Sequence, residues 1–243
     1  AVLRLGGQVL NLRKDEIHMG KGETLEDTSV MFSLFLDALV LRLYEEEKLY
    51  EFSRYSKIPI INGLTNESHP CQVLTDIFTF QELRGGIAGK KVVWLGVANN
   101  VFQSFLHAAV ALNFNIVFSG PSKFQPNKKM CEFLQAGSNI LTVEQNPIVA
   151  VKKADLIVTD KWVSMHDNEL GKSDLNELEN FRVTKQLLDS AKQEVLFMHC
   201  LPADKGQEVS QNIFEDKRCV ALQEAQNRMH LQKSILRWCL GLF

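Results

Sequence analysis

The sequence predicts an α/β fold made of two doubly wound, parallel-sheet domains, the first of them incomplete. Two observations carry the prediction. Short apolar runs alternate with stretches of helical period along most of the chain, as in Lys91 to Leu95 followed by Asn100 to Leu112, and such alternation means a parallel sheet covered on both faces. The chemistry-bearing residues also follow the apolar runs, as Gly96, Asp160 and His199-Cys200 do. That is the carboxyl edge of a parallel sheet, where open α/β folds bind ligands.

In order, Ala1 to Leu5 reads as the end of a helix stopped by Gly6-Gly7, so the sequence is expected to begin within a domain. Val9 to Leu12 is a short strand candidate. Thr24-Leu25-Glu26-Asp27 opens a helix with acids in its first turn, as the helix dipole favours. Ala38 to Leu41 reads as a buried strand ending at Arg42, Lys48 to Tyr55 as helix, and Ile58 to Asn62 as strand. A long helix starts within Asn66 to Pro70 and ends near Gly85-Gly86. Beyond it, strands at Lys91 to Leu95, Ile116 to Phe118, Ile140 to Val143, Leu156 to Thr159 and Val195 to Met198 alternate with helices at Asn100 to Leu112, Lys128 to Gln135, Ile148 to Lys152 and Thr184 to Ala191. Glu224 to Leu240 is a last helix. The domains expected are residues 1–88, 89–220, and a C-terminal helix, 221–243, returning to the first.

Composition excludes several classes. Twenty-seven basic residues stand against 29 acidic ones, so bulk charge points to neither nucleic acid nor membrane surface. No apolar run approaches the roughly 20 residues that span a bilayer. Five scattered cysteines, none in a Cys-x-x-Cys pair, argue for a reducing compartment and against a zinc site.

Five constellations carry chemistry. Ser68-His69-Pro70-Cys71-Gln72 lies at the mouth of the long helix, where free N–H groups and the positive dipole end favour anions and carbonyls. His69 and Gln72, three apart, are read as two donors to one oxygen. Gly96-Val97-Ala98-Asn99-Asn100 turns a strand into a helix but lacks the glycines and downstream acid of a dinucleotide fingerprint, which argues against an NAD enzyme. Asp160 follows another strand. His199-Cys200-Leu201-Pro202 follows a third. Glu224-Ala225-Gln226-Asn227-Arg228 opens the last helix. Taken singly, the four other than the Gly96 turn have plainer readings: a capped helix, a turn aspartate, a small buried thiol, an exposed helical arginine.

Together, and in this order, the strings resemble those of the ornithine carbamoyltransferases. The resemblance implies transfer of the carbamoyl group of carbamoyl phosphate to the δ-amine of L-ornithine, giving L-citrulline and phosphate, a step of arginine biosynthesis or the urea cycle. It needs neither metal nor cofactor. His69, Gln72, Arg42 and Arg228 would hold the carbamoyl group. Asn100, Ser164 and Met165 would contact the amino-acid end of ornithine, Asp160 and Cys200 would position its amine, and Leu201 would bind substrate, with a cis Leu201–Pro202 peptide. His18 would reach a neighbour's phosphate site in a homotrimer, in the cytoplasm or mitochondrial matrix. Val97, Ala98 and His166 depart from the family's Asp, Gly and Gly. The family's Ser-Thr-Arg-Thr-Arg phosphate loop is absent from this sequence, so the chain as written is expected to be inactive. A catalytically silent relative or fragment is the alternative; aspartate carbamoyltransferase lacks the Cys-containing loop, and acetylornithine relatives stay open.

Overall fold

The computed structural model describes residues 1–13, 22–135, 138–163 and 170–242. The chain divides into two compact units, Ala1–Cys71 with Arg228–Phe243, and Gln72–Asn227.

In the first unit, Val2–Leu5 forms a single 3-10 turn, ended by Gly6 at φ 81°. Helix α1 (Leu25–Phe32) begins where expected, with the Thr24 side chain accepting from the Asp27 N–H. Strand β1 (Leu39–Arg42) precedes helix α2 (Glu46–Tyr55) and strand β2 (Ile60–Leu64). The two strands pair in parallel as a two-stranded sheet. Two expectations need correction. Val9 to Leu12 is not a strand: Val9 and Leu10 are exposed and the segment has no ladder partner among the described residues, without which an extended chain gains no backbone bonds. Strand β1 is alternately half-buried and exposed rather than buried.

Helix α3 (Pro70–Arg84) starts with Pro at its first position, where the missing N–H is not needed. The second unit then runs through β3 (Lys91–Leu95), α4 (Asn100–Leu112), β4 (Asn115–Ser119), α5 (Lys128–Cys131), β5 (Leu141–Val143), α6 (Pro147–Val151), β6 (Leu156–Thr159), α7 (Lys172–Leu178), α8 (Lys185–Asp189), β7 (Leu196–His199) and α9 (Ala221–Cys239), whose last part belongs to the first unit. All five strands are parallel, in the order β5-β4-β3-β6-β7. Chain order reverses at β3, the switch point at which such sheets open a crevice.

Alternation explains why both faces are covered. Val92 and Trp94 of β3 point to one face, with Leu156 and Val158 of β6, under Val73, Ile77 and Phe80 of α3 and Phe102, Phe105 and Leu106 of α4. Val93, Leu95, Ile157 and Phe197 point to the other, under Ala150 and Val151 of α6 and Leu187 and Leu188 of α8. Helix α5 is shorter than expected, because the bonds tighten to the three-residue type after Cys131. Helix α7 was not foreseen. No helix among the described residues is long and apolar enough to cross a membrane.

Candidate active site

The site in the second unit is built where β3, β6 and β7 end. After β3 the chain turns at Gly96, at φ 106°, with the Trp162 indole against it: a Cβ at Gly96 would lie 3.0 Å from Trp162 Nε1. The neighbouring strand comes closer still, since a Cβ on Gly120 would lie 2.0 Å from the Gly96 carbonyl oxygen. The turn leads to Asn99, which caps α4 by accepting from the Val101 and Phe102 N–H groups. Its Nδ2 donates to Asp160 Oδ2 at 2.7 Å. Asn99 thus fixes a helix start and a carboxylate at once, a role the sequence analysis missed in favour of Asn100. The signal was there, because an Asn just before a periodic apolar run is an N-cap.

Asp160 follows β6. Besides Asn99, its Oδ1 accepts from the Lys161 N–H at 2.7 Å and from the Cys200 thiol at 2.9 Å. Burial first, and then the Asp160 carboxylate, push the Cys200 thiol well above its ordinary range. The sulfur is therefore protonated at neutral pH and donates, which makes it a positioning group and a poor nucleophile. The Leu201–Pro202 peptide is cis and Leu201 has φ 53°. The Leu201 N–H donates to His199 Nδ1 at 2.9 Å.

His199 sits at the end of β7, wholly buried. Its N–H donates to Glu224 Oε2 at 3.0 Å, and its Nε2 lies 3.1 Å from Glu208 Oε1. Donor atoms of Asp160, His199 and Cys200 fall within 4.8 Å of one another. Both ring nitrogens and the thiol proton are already committed, so the trio is a hydrogen-bonded support and not an open set of metal ligands.

Gln72, in the first turn of α3, is fully buried. Its Nε2 donates to Glu224 Oε1 at 2.6 Å and to Asp76 Oδ1 at 2.7 Å. Both amide protons are thereby used, and Oε1 has no partner among the described residues. This corrects the reading of Gln72 as a donor: what it offers a ligand is an acceptor oxygen.

The other expected residues lie in the first unit. His69 and Arg228 both line a cavity of about 490 Å³ with Arg4, Ile61, Cys71 and Leu236. Arg42 ends β1 exposed and is not among the residues lining that cavity. His18, Ser164, Met165 and His166 lie outside the described residues. Of the predicted set, the structure brings Asp160, Cys200 and Leu201 into one place through β6 and β7, and His69 and Arg228 into another.

Residues 1–82 match the family model for the aspartate/ornithine carbamoyltransferase carbamoyl-P binding domain, and residues 88–239 the model for its Asp/Orn binding domain. The chain is 44% identical to an ornithine carbamoyltransferase of Paracoccus denitrificans, covering 99% of this chain and 79% of that one. It is 43% identical to that of Ruegeria pomeroyi, covering 99% and 78%. Among solved structures, ornithine carbamoyltransferases from Pyrococcus furiosus (34% identical, TM-score 0.91) and Burkholderia thailandensis (35%, TM-score 0.88) each cover 99% of this chain, which spans 78% of theirs.

Proposed function

Because the chain belongs to the aspartate/ornithine carbamoyltransferase family, we infer that it transfers the carbamoyl group of carbamoyl phosphate to the δ-amine of L-ornithine, giving L-citrulline and phosphate. The relatives named above, 43–44% identical to it, are ornithine carbamoyltransferases. The silent-relative reading, and with it the expectation of an inactive chain, draws no support from them.

The observation that carries the ornithine reading is the Cys200–Asp160 pair, 2.9 Å apart at the strand ends. A fixed carboxylate accepts an amine proton, and the sulfur of a neutral thiol keeps lone pairs that are weak acceptors. We assign these two to the δ-amine, holding its lone pair towards the carbonyl carbon; alignment of the two reactants supplies much of the acceleration. Leu201 completes that end. Asn100, Ser164 and Met165 take the amino-acid end of ornithine.

For carbamoyl phosphate we assign His69 and Arg228 as donors to the carbonyl oxygen, which becomes an oxyanion as the amine attacks, and Gln72 Oε1 as acceptor for the carbamoyl NH₂. Arg42 is assigned to the carbamoyl group with them, and His18, from a neighbouring subunit of a homotrimer, to the phosphate. A reducing compartment, cytoplasm or mitochondrial matrix, suits the five free thiols. The chemistry calls for no cofactor. The test is citrulline formation by the purified protein from carbamoyl phosphate and ornithine, with aspartate as the competing acceptor. Carbamoyl-aspartate as the product, or no product, would overturn the assignment; light scattering reads the trimer.

A further inference from the structure

Glu208 touches none of the groups assigned to substrate, yet it is wholly buried beside His199. Its Oε1 meets His199 Nε2 at 3.1 Å and accepts from the Asp204 N–H at 2.6 Å. The Leu201 N–H can only donate, so His199 Nδ1, 2.9 Å away, must be the acceptor nitrogen. A neutral imidazole has one of each, which puts the ring proton on Nε2, aimed at Glu208. Carboxylate, ring and turn thus form one relay. Glu208 is itself anchored, since its carbonyl accepts from the Val183 N–H at 2.9 Å.

The relay ends on the two residues that matter. Leu201 occupies φ 53°, a left-handed conformation that residues with a Cβ enter rarely, and its N–H is tied to His199. The residue on the other side of Cys200 is His199 itself, fixed at its N–H, Nδ1 and Nε2. Cys200 is held from both flanks while its thiol points to Asp160.

We propose that Glu208 is a positioning residue for the carbamoyl transfer: by fixing the Nε2–H tautomer of His199 it sets the Cys200–Leu201 turn and, through it, the aim of the thiol at Asp160. A buried hydrogen bond to a carboxylate is worth little as net stability once desolvation is counted; the value of this one lies in orientation. The proposal rests on the ornithine reading for its kinetic arm only.

The kinetic arm compares Glu208→Ala with Glu208→Gln, which keeps an acceptor oxygen for both N–H groups. Glu208→Ala should lower kcat by on the order of 10- to 100-fold, the range expected when buried hydrogen-bond partners are left unpaired, with the KM for carbamoyl phosphate unchanged. Glu208→Gln should retain most of the activity. Loss of carbamoyl phosphate affinity in step with kcat, or an unchanged kcat in folded Glu208→Ala, would overturn the proposal. The second arm needs no turnover. Nitrogen-15 NMR of the wild-type ring should show protonated Nε2 and unprotonated Nδ1 for His199, retained in Glu208→Gln, and a shift towards mixed tautomers in Glu208→Ala. A wild-type ring protonated on Nδ1 would refute it even if Glu208→Ala did not fold. Absence of citrulline formation by the wild type, with the Nε2–H tautomer present, would count against the ornithine reading and leave the relay standing.

Discussion

Replacing Asn99 separates the two tasks its side chain performs. Asn99→Ala removes the α4 cap, worth about 1 kcal/mol, and the bond to Asp160 Oδ2 at 2.7 Å. Hydrogen bonds to charged groups contribute about 1.5–3 kcal/mol. Asp160 is only half-buried, so the lower end applies and the total is about 2.5 kcal/mol. Asn99→Ser keeps a capping oxygen but cannot reach Asp160 in the same way, and should lose about 1.5 kcal/mol. Urea unfolding followed by tryptophan fluorescence measures both. Trp94 and Trp162 are buried in the second unit, whereas Trp238 is 72% exposed in the first, so a Trp238→Phe background makes the signal report the second unit. With urea m values of about 1–3 kcal/mol per M, Asn99→Ala should unfold earliest, Asn99→Ser between it and wild type. Both should lose about tenfold in kcat/KM for ornithine, since a loosened Asp160 forfeits about 1.4 kcal/mol of alignment. Equal midpoints for the two variants, or an Asn99→Ser protein indistinguishable from wild type, would refute the division of roles.

Three further outcomes are expected. Gly120→Ala places a Cβ against the Gly96 carbonyl and should destabilise by at least about 3 kcal/mol, the upper end for overpacking; a midpoint near wild type would contradict the backbone approach. Asp160→Asn removes the negative charge that helps raise the Cys200 thiol, so iodoacetamide should alkylate Cys200 faster at pH 8 in the variant, judged by peptide mass. An unchanged or slower rate would show burial acting alone. Burial first, and then the Glu224 and Asp216 carboxylates, push the Cys219 thiol from its ordinary 9.0 to about 11. The unfolded thiol therefore loses its proton first, and stability should fall as pH rises from 9.0 to about 11. Cys219→Ser should flatten that part of the stability profile, and an identical profile would contradict the shift.

Much of the second unit was legible because its central strands β3, β6 and β7 are almost wholly buried. Lys91 to Leu95 and Leu156 to Thr159 stand out as apolar runs between polar turns, and their ends match β3 and β6. Val9 to Leu12 has the same look over four residues but no ladder partner among the described residues, and pairing is what makes a strand. Helix α7 escaped notice because Lys-Ser-Asp-Leu-Asn-Glu-Leu offers only two apolar side chains, too few to show a period. At the site, the aspartate and the thiol were readable from their places just past the ends of two apolar runs. Glu208 and Glu224 were not, since their bonds to His199 cross 9 and 25 positions and depend on which way the chain returns. Gln72 was read with the wrong polarity for a related reason: which end of an amide faces a ligand is settled by its buried neighbours, here Glu224 and Asp76.

The two oxygens of Glu224 have a consequence in time. One takes Gln72, 152 positions earlier, and the other takes the His199 N–H at the root of the thiol turn. At about 5–20 residues per second, the ribosome needs on the order of ten seconds to travel from the first of these to the last. Throughout that interval the nascent sheet can pair its strands, because each finds its neighbour soon after it emerges. The turn carrying Cys200 waits. Its support comes from a carboxylate made after all five strands, so an unfinished chain can hold a folded sheet without a finished centre.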